Sequence, residues 1–210
     1  MVIRKYTDNS LLDELIEQSW GILFYGPAGA GKTTLLIHIA GNICSDDQCI
    51  YISTEETLHY ERVAKNPERF RNVLFTEAYD METLLKAVFA TYLIQPKYVF
   101  VDSINSLFRV EALKEDTITK QALVISLLLE TVNLKEGKVF ASAQVRIRER
   151  RDLEIPGQNI LEYYFDSILR IAVEEYGRRI IKPYKYIIEP KFSELVFKIT
   201  SDGVSWEYEY

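Results

Sequence analysis

The chain has little of what would tie it to a metal cluster, a polyanion or a bilayer. It holds two cysteines, Cys44 and Cys49, spaced as C-x₄-C with no histidine cluster to complete a tetrahedral set, which excludes a zinc site. The default for the pair is two reduced thiols. The alternative is a disulfide across Ser45–Gln48, which fits a hyperthermophile source better than a mesophile one. An excess of positive charge is also missing. The net charge is −6, so no global field draws nucleic acid, and any such contact must come from a local patch. Long apolar runs are absent as well. A stretch such as Ala122–Leu129 is too short to span a bilayer, and nothing resembles a signal peptide. The expectation is a cytoplasmic protein with no membrane partner. There is no internal repeat and no low-complexity linker.

What is present suffices for one domain. The 210 residues are 48% hydrophobic, enough for a full core. Residues 1–20 read as a short lead-in segment, with no room for a separate N-terminal domain, and residues 21–210 as a single core domain. Met1–Tyr6 is an edge strand or loose chain. Ser10 starts a short amphipathic helix, with Ser10 and Asp13 as a capping box and Leu11, Leu12, Leu15 and Ile16 as its apolar stripe.

The chain is organised around Gly26-Pro27-Ala28-Gly29-Ala30-Gly31-Lys32-Thr33-Thr34, which fits G-x-x-x-x-G-K-[ST]. A phosphate chain must be wrapped by backbone N–H groups, and small residues at 26 and 28–31 leave those amides bare. Lys32 reaches the β- and γ-phosphates, and the Thr33 hydroxyl holds Mg²⁺. The strand-like Gly21–Tyr25 before it and helix-like Leu35–Ala40 after it are the setting this loop needs.

Further strands are expected at Gln48–Ser53, Asn72–Thr76, Lys97–Asp102 and Lys138–Gln144, with helices at Met81–Tyr92 and Asp116–Leu134. Strands alternating with helices mean a parallel sheet covered on both faces. Tyr164–Ile171, Arg178–Lys182 and Glu194–Thr200 then extend the sheet in antiparallel fashion. Four apolar residues ending in Asp102 form a Walker B pattern, with Asp102 serving Mg²⁺ from the strand's C-terminal end. Glu55, at the end of the second strand, is the candidate base for water attack, with Glu56 as runner-up. Gln144 ends the strand after Walker B and can sense a γ-phosphate. Arg146, Arg148, Arg150 and Arg151 follow it. They read either as a patch for phosphate backbones or as a plain charged loop.

Walker A at Gly26–Thr34, Tyr51-Ile-Ser-Thr-Glu55, Val101-Asp-Ser-Ile-Asn-Ser-Leu-Phe-Arg109, Ala143-Gln-Val145 and Phe197–Val204 come in one order. That ordered set resembles the RecA/RadA recombinase core, and its wording is closer to the archaeal and eukaryotic branch than to bacterial RecA. The resemblance runs from about Gly21 to Trp206 and is strongest to short archaeal RadA paralogues. It implies an α/β, RecA-like P-loop NTPase: a mostly parallel twisted sheet, helices on both faces and antiparallel C-terminal strands. It implies ATP and Mg²⁺ as cofactors, Lys32 and Thr33 on phosphate and Mg²⁺, Glu55 activating water, Asp102 on Mg²⁺, Gln144 as γ-phosphate sensor and Arg62 near the adenine. It also makes Arg146–Arg151 a second DNA-binding loop. Lys182–Tyr184 lie where a contact to a neighbouring subunit's site would arise.

Two departures separate the chain from a strand-exchange recombinase. The first DNA loop, Val110–Asp116, is net acidic here, and Glu56 stands where a glycine is usual, which is closer to KaiC-type proteins. The expected function is a slow, Mg²⁺-dependent ATPase that acts as a modulator: it binds single-stranded DNA and assists a RadA-type recombinase or another repair protein in homologous recombination and repair, and homo-oligomers are compatible with it. The alternative is a KaiC-like nucleotide switch that regulates a protein partner without DNA. Intact Lys32, Glu55 and Asp102 argue against a subunit that has lost catalysis.

Overall fold

The computed structural model describes residues 3–55, 60–110, 116–147 and 153–207. In chain order these form α1 (Ser10–Glu17), β1 (Gly21–Gly26), α2 (Lys32–Ile43), β2 (Cys49–Ser53), α3 (Tyr60–Lys65), β3 (Val73–Glu77), α4 (Met81–Ile94) and β4 (Tyr98–Asp102). Then come α5 (Ser106–Val110), α6 (Thr117–Asn133), β5 (Lys138–Gln144), β6 (Arg146–Ile147), β7 (Leu153–Glu154), α7 (Gln158–Tyr164), β8 (Ser167–Val173), β9 (Arg179–Lys185), β10 (Leu195–Thr200) and β11 (Gly203–Glu207).

One nine-stranded sheet runs β11-β10-β9-β8-β1-β5-β4-β2-β3. Its pairs from β3 to β8 are parallel and its pairs from β8 to β11 antiparallel. The expectation of a mostly parallel sheet with helices on both faces and antiparallel C-terminal strands is met, with one correction. The first of the three C-terminal strands, β8, lies parallel to β1, with Ile22 opposite Ser167 and Tyr25 opposite Arg170. The antiparallel part starts only at β9. Tyr164 belongs to α7, not to β8.

Side chains alternate across the sheet and give it two different faces. Phe24, Tyr51, Phe100 and Phe140 face α1 and α2, together with Leu12, Leu35 and Ile39. Leu23, Ile52, Val99, Val101, Val139 and Ala141 face α4, α6 and α7. In-register pairing sets Tyr51 beside Phe100 and Phe100 beside Phe140. The rings stack with centroids 5.7 and 5.1 Å apart, adding ring-on-ring attraction to their burial.

The lead-in segment departs from expectation at its helix cap, while of the two readings for its first residues the edge strand is not met. Described residues before Ser10 form no strand. The cap of α1 is Asn9, whose side chain accepts from Leu11 N and Leu12 N. Asp13 turns back to accept from Thr7 N and Thr7 Oγ1, so Ser10 and Asp13 make no capping box. The cysteines differ from their default too: Cys44 and Cys49 form a disulfide. Cys44 caps the C-terminal end of α2 and Cys49 opens β2. The short connection brings both side chains to the same buried face. Among the described residues no helix is long and apolar enough to cross a membrane.

Candidate functional site

The C-terminal ends of β1, β2, β4 and β5 open onto a cleft of about 510 Å³. Parallel strands place loop residues at that end of the sheet, and ligands of open α/β sheets bind there. The loop Gly26–Gly31 forms one wall. Gly29 and Gly31 have φ of +75° and +99°, in the left-handed region. A Cβ on Gly26 would lie 2.2 Å from Ile171 O, so β8 leaves no space for a side chain there. At Gly29 a Cβ would meet nothing, and only its φ favours glycine. Gly31 caps α2 without a side-chain hydrogen bond. The first N–H groups of that helix are thus left for an anion.

Lys32 is 7% exposed. Its Nζ donates to Gly26 O and Pro27 O, each at 2.9 Å. Burial pushes its pKa below the ordinary lysine value, while the charges of Asp102 and Glu55 pull it back up. A buried ammonium held by two carbonyl oxygens is a site prepared for a negative charge. Asp102 is also buried, and accepts from Tyr51 OH at 3.0 Å and from Ser142 Oγ. Burial, with the Asp102 carboxylate second, pushes the Tyr51 phenol well up, so it stays a donor.

Glu55 sits across the cleft from the loop wall and accepts from Ser103 Oγ. Thr54 binds the end of β2 to the end of β4: its N donates to Asp102 O at 2.7 Å, its Oγ1 donates to Ser103 O at 2.7 Å, and it accepts from Ser103 N at 2.9 Å. The Asp102–Ser103 peptide is cis. Those bonds fix Glu55 relative to Asp102. Gln144 lines the cleft at the end of β5, and Arg109 Nη1 donates to its Oε1 at 2.6 Å. Asn105, fully buried, holds the Gln144 backbone on both sides and donates to Pro156 O at 3.4 Å.

Of the residues singled out in the sequence, Ala28, Gly29, Gly31, Lys32, Thr33, Thr34, Glu55, Arg62, Asp102 and Gln144 line this one cleft. Arg62 Nη1 also donates to Thr200 O at 3.3 Å, which joins α3 to the end of β10. Gly26 and Pro27 turn their carbonyls to Lys32, and Ala30 is buried beneath the loop. Arg146 is exposed on β6, in register with Glu154 of β7. Arg148, Arg150, Arg151 and Glu56 lie outside the described residues, as do residues 111–115 of the first loop. Lys182 and Tyr184 are engaged within this chain, Lys182 with Glu194 at 2.8 Å and Tyr184 OH with Glu162 at 2.7 Å. The sequence reading gave no role to Tyr51, Ser142, Thr54, Ser103 or Asn105. For Tyr51 and Ser142 a signal existed, a polar group inside an otherwise apolar strand. For the others the contact is set by how two strand ends meet.

Fold and cleft together define a P-loop nucleoside triphosphatase. The chain belongs to the ATPase family associated with various cellular activities (AAA), whose model matches residues 22–147. Within that class it is a RecA/RadA-type core ATPase. It is 26% identical over 205 residues to the DNA repair protein RadA of Aquifex aeolicus (strain VF5), covering 94% of this chain and 44% of that protein. It is 28% identical over 161 residues to the DNA repair and recombination protein RadB of Methanocaldococcus jannaschii, covering 70% of this chain and 75% of that protein. The chain therefore spans less than half the length of the RadA relative.

Proposed function

We propose that the chain is an ATP-binding, Mg²⁺-dependent ATPase that binds single-stranded DNA and assists a RadA-type recombinase in homologous recombination and repair. The observation that carries this reading is the convergence of Lys32, Thr33, Glu55, Asp102 and Gln144 on one cleft, with the arginine-bearing segment starting directly after Gln144. The names of the RadA and RadB relatives support the repair context.

The donor set fits the cofactors. Among the described residues no group of three or more His, Cys, Asp or Glu side chains is placed to hold a metal. Mg²⁺ takes few protein ligands and relies on phosphate oxygens and water, so Thr33 and Asp102 suffice. When bound with ATP, Mg²⁺ neutralises charge on the phosphates. This chain's residues do the rest. Backbone amides of 28–32 cradle the phosphates, and Lys32 offsets their charge. Glu55, steadied by Ser103, orients the attacking water, and Gln144 donates to the terminal phosphate. Arg62 stands at the nucleoside end. Arg146, Arg148, Arg150 and Arg151 meet the DNA backbone, and the reading places the protein in the cytoplasm.

The test is ATP hydrolysis with and without single-stranded DNA, for the native chain and Lys32→Ala. A DNA-stimulated rate that Lys32→Ala abolishes is the expected result. A Lys32-dependent rate indifferent to DNA assigns a nucleotide switch acting on a protein partner. No turnover in either protein overturns the enzyme reading.

A further inference from the structure

Arg109 lies in the last turn of α5, one helical turn beyond Asn105, and its N donates to Asn105 O. Its side chain is half-buried, and among the described residues Nε is buried without a hydrogen-bond partner. Among those residues its guanidinium has the neutral amide of Gln144 as partner, through Nη1 to Oε1 at 2.6 Å. A charged donor on a neutral oxygen is stronger than an amide–water bond.

That bond decides which end of the amide is which. Glutamine carries an acceptor oxygen at one end and two N–H donors at the other, and a flip about its last torsion exchanges them. Arginine has no acceptor. The flipped amide would set N–H against N–H, so Arg109 selects one orientation. Gln144 lines the cleft, and with Oε1 taken its Nε2 donors are the end left to serve an anion. Asn105 fixes the backbone from which that side chain springs, because it grips Gln144 N and Gln144 O at 3.0 and 2.9 Å.

We propose that Arg109 is a positioning residue for terminal-phosphate recognition. By holding Gln144 Oε1 it presents the Nε2 donors of Gln144 to an anionic oxygen, and so sets the preference for a nucleoside triphosphate over the diphosphate. The inference rests on the reading of the cleft as a nucleotide site. Without Arg109 the side chain samples both amide orientations, one of which turns an oxygen toward a negatively charged phosphate, and also rotamers that aim it away from the cleft, so only a small fraction presents its donors.

The experiment is equilibrium binding of a fluorescent, non-hydrolysable ATP analogue and of fluorescent ADP, with Mg²⁺. The proteins are the native chain, Arg109→Ala, Gln144→Ala and the double variant. Arg109→Ala is expected to weaken the triphosphate about 10-fold while ADP stays within about twofold, the scale of one charge-assisted hydrogen bond. Gln144→Ala should do the same, and the double variant should be no worse than Gln144→Ala. Arg109→Lys, which keeps a charged donor, should recover most of the ratio. Arg109→Met keeps the stem without the donor and carries the same test where the alanine variant does not fold. Equal weakening of both nucleotides overturns the inference, because a mere brace would act that way. So does an Arg109 effect that persists undiminished in the Gln144→Ala background. Native protein that binds neither nucleotide overturns the reading of the cleft itself, whereas intact binding with an unchanged ratio in Arg109→Ala overturns this inference alone.

Discussion

The two halves of the sheet solve different problems. From β3 to β8 the strands are parallel and the central ones are buried on both faces: β1, β2 and β4 are buried along their whole length. From β9 to β11 they are antiparallel, and buried positions are interrupted by exposed and half-buried ones. Parallel strands need crossover helices, which cover both faces, whereas hairpins can leave one face to water. The consequence is functional. Crossovers gather four strand ends at one side of the sheet and make the cleft. Among the described residues the hairpins add to the cleft Ile199 of β10 and the turn residue Ser201.

The comparison can be tested by breaking each half in turn. The largest effect is expected in the parallel half. Lys32→Ala should lower ATP turnover by at least about 100-fold, since it removes a buried cation from the wall of the cleft, and should abolish any rise in melting temperature that MgATP gives the native protein. Variants at Lys182, in the antiparallel half, should leave both readouts close to native.

Stability should divide the same way. Phe100→Ala removes the middle ring of the three-ring stack and should cost about 3–5 kcal/mol in urea unfolding. Trp206 packs on Phe197 with centroids 5.5 Å apart, and its Nε1 donates to Thr7 O at 2.6 Å. It is half-buried, so Trp206→Ala should cost less, about 1–3 kcal/mol. Equal losses would mean that the hairpins are as integral to the core as the crossovers. Next in size is the disulfide. Replacing Cys44 and Cys49 together by Ser should lower stability by about 2 kcal/mol, the loop-closure value for so short a loop, read as a difference between unfolding midpoints.

The smallest effect concerns His38, at the seam of the halves. Its Nε2 lies 3.0 Å from Asp8 Oδ2, and a Cβ at Gly203 would come within 2.7 Å of its Nδ1. Burial pushes its pKa below the ordinary 6.5, with Asp8 opposing and Arg69 reinforcing the shift. The unfolded chain then takes up its proton first as pH falls. Stability from this residue is full above pH 6.5, declines below it, and stops declining under the folded pKa. His38→Gln should flatten the difference in unfolding free energy between pH 7 and pH 5. An unchanged slope would assign that difference to the carboxylates.

Much of this was legible along the chain because it is local. Gly26–Thr34 spells a backbone conformation, and Tyr98–Asp102 spells a buried strand ending in an acid. What escaped depended on pieces meeting. Asn9, not Ser10, caps α1, because Asp13 is drawn to Thr7. The cysteines pair because α2 and β2 bring them to one buried face. Strand β8 reads as an antiparallel addition to the sheet, yet α7 returns the chain so that it runs parallel to β1.

The sequence by itself determined the class of fold, the phosphate loop and the identity of the groups that could meet a nucleotide. Each of these is written in a run of consecutive residues, where backbone preference and hydrophobic period act locally. The tertiary structure alone decided which of those groups are held, and by what. Tyr51 and Ser142 steady Asp102, Ser103 steadies Glu55, and Arg109 with Asn105 steadies Gln144. Hydrogen bonds are directional and reach only a few ångströms, so such partnerships exist only once strand order and register have set distant residues side by side.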